Sequence, residues 1–150
     1  MTFAEKIKSV IGLQAQATNA NPTSAYVDLS GVVRCKVVVN VGKGNAALTS
    51  FTLREAKTAA GGDVRNLVNT VPVYTNLNTG ASSDYTRQAN AVTYALDNAA
   101  DGRGQAVVFD VDPARLGIND DFRFLAVTVA AGNADNIASI TYELDLKETV

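Results

Sequence analysis

Gln105–Val111 (QAVVFDV), Phe122–Ala130 (FRFLAVTVA) and Ile137–Leu146 (IASITYELDL) decide the fold class, because each alternates apolar and polar residues with the period of two that belongs to a β-strand. Turn-forming residues separate them. Asp112-Pro113-Ala114-Arg115-Leu116-Gly117 carries an N-cap, a proline at the first helical position and a closing glycine, which predicts one short helical turn between strands. Gly132-Asn133 marks the turn before the last strand.

The same period runs backwards through the chain. Ala91–Leu96 sets Val92, Tyr94 and Leu96 against Thr93 and Ala95, and Leu48–Ala56 puts Phe51 and Leu53 on one face. Val71–Thr75 is a short strand whose Pro72 favours an edge or an end position. Ala25–Leu29 and Val32–Val41 flank Ser30-Gly31, and the second run is dense enough in valine to suggest a central strand buried on both faces. Gly42-Lys43-Gly44-Asn45 reads as the turn of a hairpin joining that run to Leu48–Ala56. Between Asn76 and Asn90 lies a long polar stretch, expected to be a functional or mobile loop.

The N-terminus has a different period. Thr2-Phe3-Ala4-Glu5 matches a capping box, and Phe3, Ile7, Val10 and Ile11 fall at helical spacing before Gly12. A short helix is predicted, packed either on its own domain or on a neighbouring chain. Leu13–Ser24, rich in Gln, Ala, Asn and Thr, reads as a linker. The expected organisation is an N-terminal helix and linker arm over 1–24 and a β domain over 25–150: an all-β protein, an antiparallel β-sandwich or jelly roll of about eight strands.

Composition narrows the chemistry. With 150 residues the chain has room for one domain, burying about 70% of its unfolded surface. A net charge of −2 without a basic face disfavours nucleic acid, and no apolar run reaches the length of a membrane span. Met1–Gly12 has no signal-peptide pattern. The sequence contains no His and no Trp and a single cysteine, Cys35, which reads as a buried or half-buried strand residue with no imidazole to activate it. No Gly-x-Ser-x-Gly elbow or Ser-x-x-Lys motif is present, so the chain is not expected to be an enzyme or to need a cofactor. Asp110 and Asp112 share a strand face and could hold a cation with Asp120 and Asp121, yet capping and loop roles account for them. Asp97–Gly102 has calcium-loop composition without calcium-loop spacing. No metal site is expected.

Tyr26-Val27-Asp28-Leu29-Ser30, Phe51-Thr52-Leu53-Arg54-Glu55-Ala56, and Phe109-Asp110-Val111-Asp112 followed by Phe122–Val129 resemble segments of small structural proteins of tailed-bacteriophage heads. Within that group the chain is similar to capsid cement, or decoration, proteins with a jelly-roll or β-sandwich body. The resemblance implies a virion protein assembled in the host cytoplasm, sitting on the outer capsid surface. There it would bridge major capsid proteins and stabilise them against internal DNA pressure, with self-association as a dimer or trimer. Partner-binding candidates are Phe3, Ile7, Val10 and Ile11 on the arm and Tyr85 and Arg87 in the polar loop. A tail or fibre component is the alternative, as is a carbohydrate-binding module using Tyr74, Tyr85 and Asp84.

Overall fold

Along Val32–Lys43 every second side chain from Cys35 onward, namely Cys35, Val37, Val39, Val41 and Lys43, is buried, while Lys36, Asn40 and Gly42 face solvent. One-sided burial of this kind belongs to an antiparallel sheet with a single packed face. The strand is central, as its valines suggest, but it is not buried on both faces. The computed structural model describes residues 6–96 and 104–148. These form eleven strands: β1 (Ile7–Ala17), β2 (Val27–Asp28), β3 (Val32–Lys43), β4 (Thr49–Ala56), β5 (Arg65–Asn66), β6 (Val71–Asn76), β7 (Thr86–Ala91), β8 (Thr93–Leu96), β9 (Gly104–Val111), β10 (Phe124–Ala130) and β11 (Asn136–Leu146).

Two antiparallel sheets face each other. The large sheet has the order β1-β11-β3-β9-β6-β7, and the small one the order β2-β10-β4-β5, with β8 paired to β4 beside β5. Between them lies one core, in which Val37, Val39, Val73, Phe109 and Ile140 of the large sheet meet Phe51, Leu53, Leu125 and Val127 of the small one. At about 25 cal/mol per Å2 of apolar surface removed from water, these residues dominate the stability.

The expected N-terminal helix is a strand. Ile7–Ala17 pairs with β11, and Phe3 lies outside the described residues. The register shifts between Ile11 and Leu13 as the strand passes Gly12, so apolar residues fall on both faces and mimic a helical period. Leu13–Ala17, expected as part of a linker, belongs to this strand, and a single 3-10 turn over Thr18–Ala20 follows. Buried Thr18 locks that turn to the β10–β11 connection, its hydroxyl donating to Asn133 O (3.0 Å) and accepting from Asn133 N (3.0 Å).

Three further expectations are corrected. β3 and β4 do not form a hairpin, because β3 pairs with β11 and β9 while β4 pairs with β10, β5 and β8. Their connection crosses the sandwich, and Gly42 and Lys43 belong to β3 rather than to a turn. Lys43 points inward, donating from Nζ to Ala47 O (2.6 Å) and Leu96 O (3.3 Å). Pro72, expected at an edge or an end, takes an end position as the second residue of β6, an inner strand between β9 and β7; the β6–β7 register shifts there, which tolerates its missing N–H. The polar stretch Asn76–Asn90 is half strand: Thr86–Ala91 is β7, the partner of β6. At Val92 the chain leaves the large sheet for the small one, with Leu53 N donating to Val92 O (2.9 Å).

The 3-10 turn predicted after β9 is present at Pro113–Arg115, with Asp112 accepting from Ala114 N (3.0 Å). Among the described residues, no helix is long and apolar enough to cross a membrane.

Candidate functional site

The register of the large sheet sets up its outer face. Pairing runs Ile11–Thr141–Val38–Val108–Tyr74–Arg87 from one edge to the other, and directly opposed residues share a face. Beside this mostly apolar row runs a polar one, Ser9–Glu143–Lys36–Asp110. Ser9 Oγ donates to Glu143 (2.6 Å), Arg34 lies 3.2 Å from Asp110 and Lys6 lies 3.7 Å from Asp145. Exposed ion pairs of this kind contribute little to stability, so their effect is to pattern the surface.

Where the two rows meet over β3, β9 and β6, the β6–β7 loop raises a wall. Lys36, Val38, Tyr74, Tyr85, Val108 and Asp110 line an open groove of about 370 Å3. The loop is held by its own side chains: Asn76 Nδ2 donates to Ser82 O (2.7 Å), Asn76 Oδ1 accepts from Asn78 N (3.0 Å), and Ser82 Oγ accepts from Asp84 N (3.0 Å). Arg87 packs over the Tyr74 ring at 5.4 Å and bonds to Gln88 O and Asn90 Oδ1. Gln88 Nε2 donates to Thr75 Oγ1 (2.9 Å). Tyr74 is thereby fixed, while Tyr85 at the loop's end is 45% exposed.

The sequence-nominated residues separate into two groups. Ile7 and Ile11 lie on the outer face at the β1 edge, with Ile11 66% exposed. Val10 points the other way, opposite buried Tyr142, and packs on the core. Tyr85 and Arg87 stand at the opposite edge, five strand intervals or about 24 Å from β1. Val38, Val108, Lys36 and Asp110 complete the groove; none was nominated for partner binding, and Asp110 was considered only as a cation ligand. Their convergence depends on the β3–β9 register across some seventy residues of sequence (Val38↔Val108), which no local pattern encodes.

The acidic residues have local partners. Asp110 and Asp112 flank Arg34 (3.2 and 4.0 Å), Asp120 lies 3.6 Å from Arg65, and Asp121 lies 3.9 Å from Arg123. Among the described residues no group of three or more Cys, Asp or Glu is placed to hold a metal ion, and Asp97–Gly102 lies outside them. Cys35 is fully buried, and its thiol is pushed up to about 12, first by burial and then by the charges of Asp110 and Glu143. It is a packing residue, not a nucleophile.

These observations define a two-sheet antiparallel β-sandwich with one patterned, open sheet face. No family model matches the sequence, and no curated protein matches it. In fold the chain is similar to the SPBc2 prophage-derived protein YomS, at 9% identity and a TM-score of 0.50, over 92% of this chain and 91% of that one. A weaker likeness, with a TM-score of 0.35 and 9% identity, relates 97% of this chain to 27% of the CBM22-1–GH10 modules of the Clostridium thermocellum xylanase 10B.

Proposed function

We propose that this chain is a non-enzymatic structural protein of a tailed-phage virion, bound to the outer surface of the capsid, where it bridges and stabilises major capsid proteins. The observation that carries the reading is the β1 edge. β1 is an eleven-residue strand at the margin of the large sheet. Among the described residues no strand pairs with its outer side, and Ile11 is exposed beside it. An edge of this kind offers backbone hydrogen bonds for β-augmentation and an apolar side chain for a neighbouring pocket. Support also comes from the end-to-end similarity in fold to a prophage-derived protein.

A body held by a wide two-sheet core transmits load between contacts at its periphery, and many modest contacts repeated over a lattice give avidity without one tight interface. Binding to the intact shell then adds to the barrier for rupture. Particles depleted of the protein are expected to assemble but to release DNA at lower temperature or on osmotic shock, and added protein restores resistance. Depleted particles as resistant as intact ones would overturn the reading.

A further inference from the structure

The groove at the other end of the large sheet carries a second function. We propose that it is a glycan-binding site, taking a pyranose ring of a neutral polysaccharide between Tyr85 and the sheet.

A pyranose presents apolar C–H faces and a rim of hydroxyls, so its site needs flat apolar surface with hydrogen-bonding groups at the margin. Val38, Val108 and Tyr74 supply the flat surface, and Tyr85 supplies a second ring from the loop. The negative face of an aromatic ring attracts the slightly positive C–H bonds of a sugar. At the margin stand a donor, Lys36, and an acceptor, Asp110. Asp110 Oδ1 is itself enclosed, 3.2 Å from Arg34 Nε, so a ligand hydroxyl meets this carboxylate through the remaining, 19% exposed part of the side chain, as a charge-assisted hydrogen bond.

The size and shape fit a saccharide. About 370 Å3 falls in the range of small-molecule sites, and the groove is open along the sheet, so a chain can extend past it. The groove is also pre-formed, since the Asn76 and Ser82 side chains fix the loop and Arg87 fixes Tyr74. Beside the groove the charges of Arg34 and Lys36 are offset by Asp110 and Glu143, which favours a neutral ligand over a phosphorylated one. Sugar capture here leaves the β1 edge free, so one molecule can hold a particle surface at one margin and a polysaccharide at the other.

The test is affinity electrophoresis through gels cast with β-glucan, xylan, galactomannan, dextran or bacterial O-antigen polysaccharide, followed by titration of the best ligand. With no Trp in the chain, tyrosine emission can report the titration directly. At least one polysaccharide should retard the protein. Tyr85→Ala, a change at an exposed loop position, and Asp110→Asn, which keeps the shape of the side chain, should each weaken binding about tenfold or more. Neither Tyr85→Ala nor Asp110→Asn should alter binding to capsids, so failure here leaves the capsid reading standing. Absence of retardation in every gel, or binding that survives Tyr85→Ala, overturns the proposal.

Discussion

The Tyr142 hydroxyl lies 2.6 Å from Ser24 Oγ inside the sandwich, and together they join the two sheets. Tyr142 on β11 donates to Ala25 O (3.0 Å), Ser24 donates to Tyr142, and Ser24 Oγ accepts from Val127 N (2.8 Å) on β10. Every polar atom of the group is satisfied. Burial raises the Tyr142 pKa well above that of an ordinary tyrosine, so the phenol stays protonated and keeps its donor role.

Ser24→Ala should therefore cost more than Tyr142→Phe. The first leaves a buried backbone N–H at Val127 without a partner, at about 1–3 kcal/mol. The second leaves Ser24 Oγ free to turn toward Ala25 O, already 3.4 Å away, and should cost about 1 kcal/mol. Urea denaturation of both variants checks the order. Gly12→Ala should be destabilising as well, because an added Cβ would sit 2.4 Å from Tyr142 Cε2.

Glu55 anchors the loop that follows β9. The residue is fully buried, accepts from Arg65 Nε (2.6 Å) and Gly117 N (2.8 Å), and draws Arg65 across the Phe122 ring at 3.9 Å. Glu55→Gln keeps the shape, but the two donors bond to different carboxylate oxygens, and the amide NH2 that replaces one of them donates and cannot accept. A loss of about 1–3 kcal/mol is expected, moderated because Arg65 can turn to water. Hydrogen exchange should show faster opening of residues 113–121 before the sheets open.

Alkaline pH should weaken the fold through Cys35. In the unfolded chain the thiol ionises near 9, whereas in the fold it is held up to about 12. Between these values the native state keeps a proton that the unfolded state has lost, so stability is unaffected below about pH 9 and falls above it. The slope approaches about 1.4 kcal/mol per pH unit. Cys35→Ala should flatten the profile between about pH 9 and 10, above which the raised Tyr142 pKa lowers stability in the same way, although it also lowers stability at neutral pH by leaving a small cavity. In the native state the thiol should resist disulfide reagents until the protein unfolds.

The sequence revealed strands where large apolar residues mark one face. β9, β10 and β11 were legible because Phe109, Leu125, Val127 and Ile140 mark one face at alternate positions. β7 was not, since it is an edge strand whose residues Thr86, Arg87, Gln88 and Asn90 have little apolar content to alternate. β1 was misread for the opposite reason: Val10 and Ile11 are both apolar but lie on opposite faces, and the irregularity at Gly12 shifts the phase. The β3–β4 crossover was hidden because local turn residues do not say whether the next strand pairs or changes sheet. Tyr74 and Tyr85 could be nominated from the chain alone. The valine floor and Asp110 beside them could not, because they converge only through the register.

The β1 strand gives the last prediction, which separates folding from assembly. Its inward residues Val10 and Leu13 pack on the core, and its backbone pairs with β11 along most of its length. Deleting residues 1–12 should therefore lower thermal stability strongly, because it strips half a strand from the sheet and exposes the apolar surface of β11. Ile11→Asp is different. The side chain is 66% exposed and opposes Thr141 on the outer face, so the change should fall within about 0.5 kcal/mol of the parent protein. If the β1 edge holds the capsid, this same substitution should sharply reduce binding to depleted particles, because an unpaired carboxylate would be carried into an apolar contact. Co-sedimentation with particles, set beside thermal melts of both variants, reads the two effects apart. Undiminished capsid binding by well-folded Ile11→Asp protein would move the attachment surface away from β1.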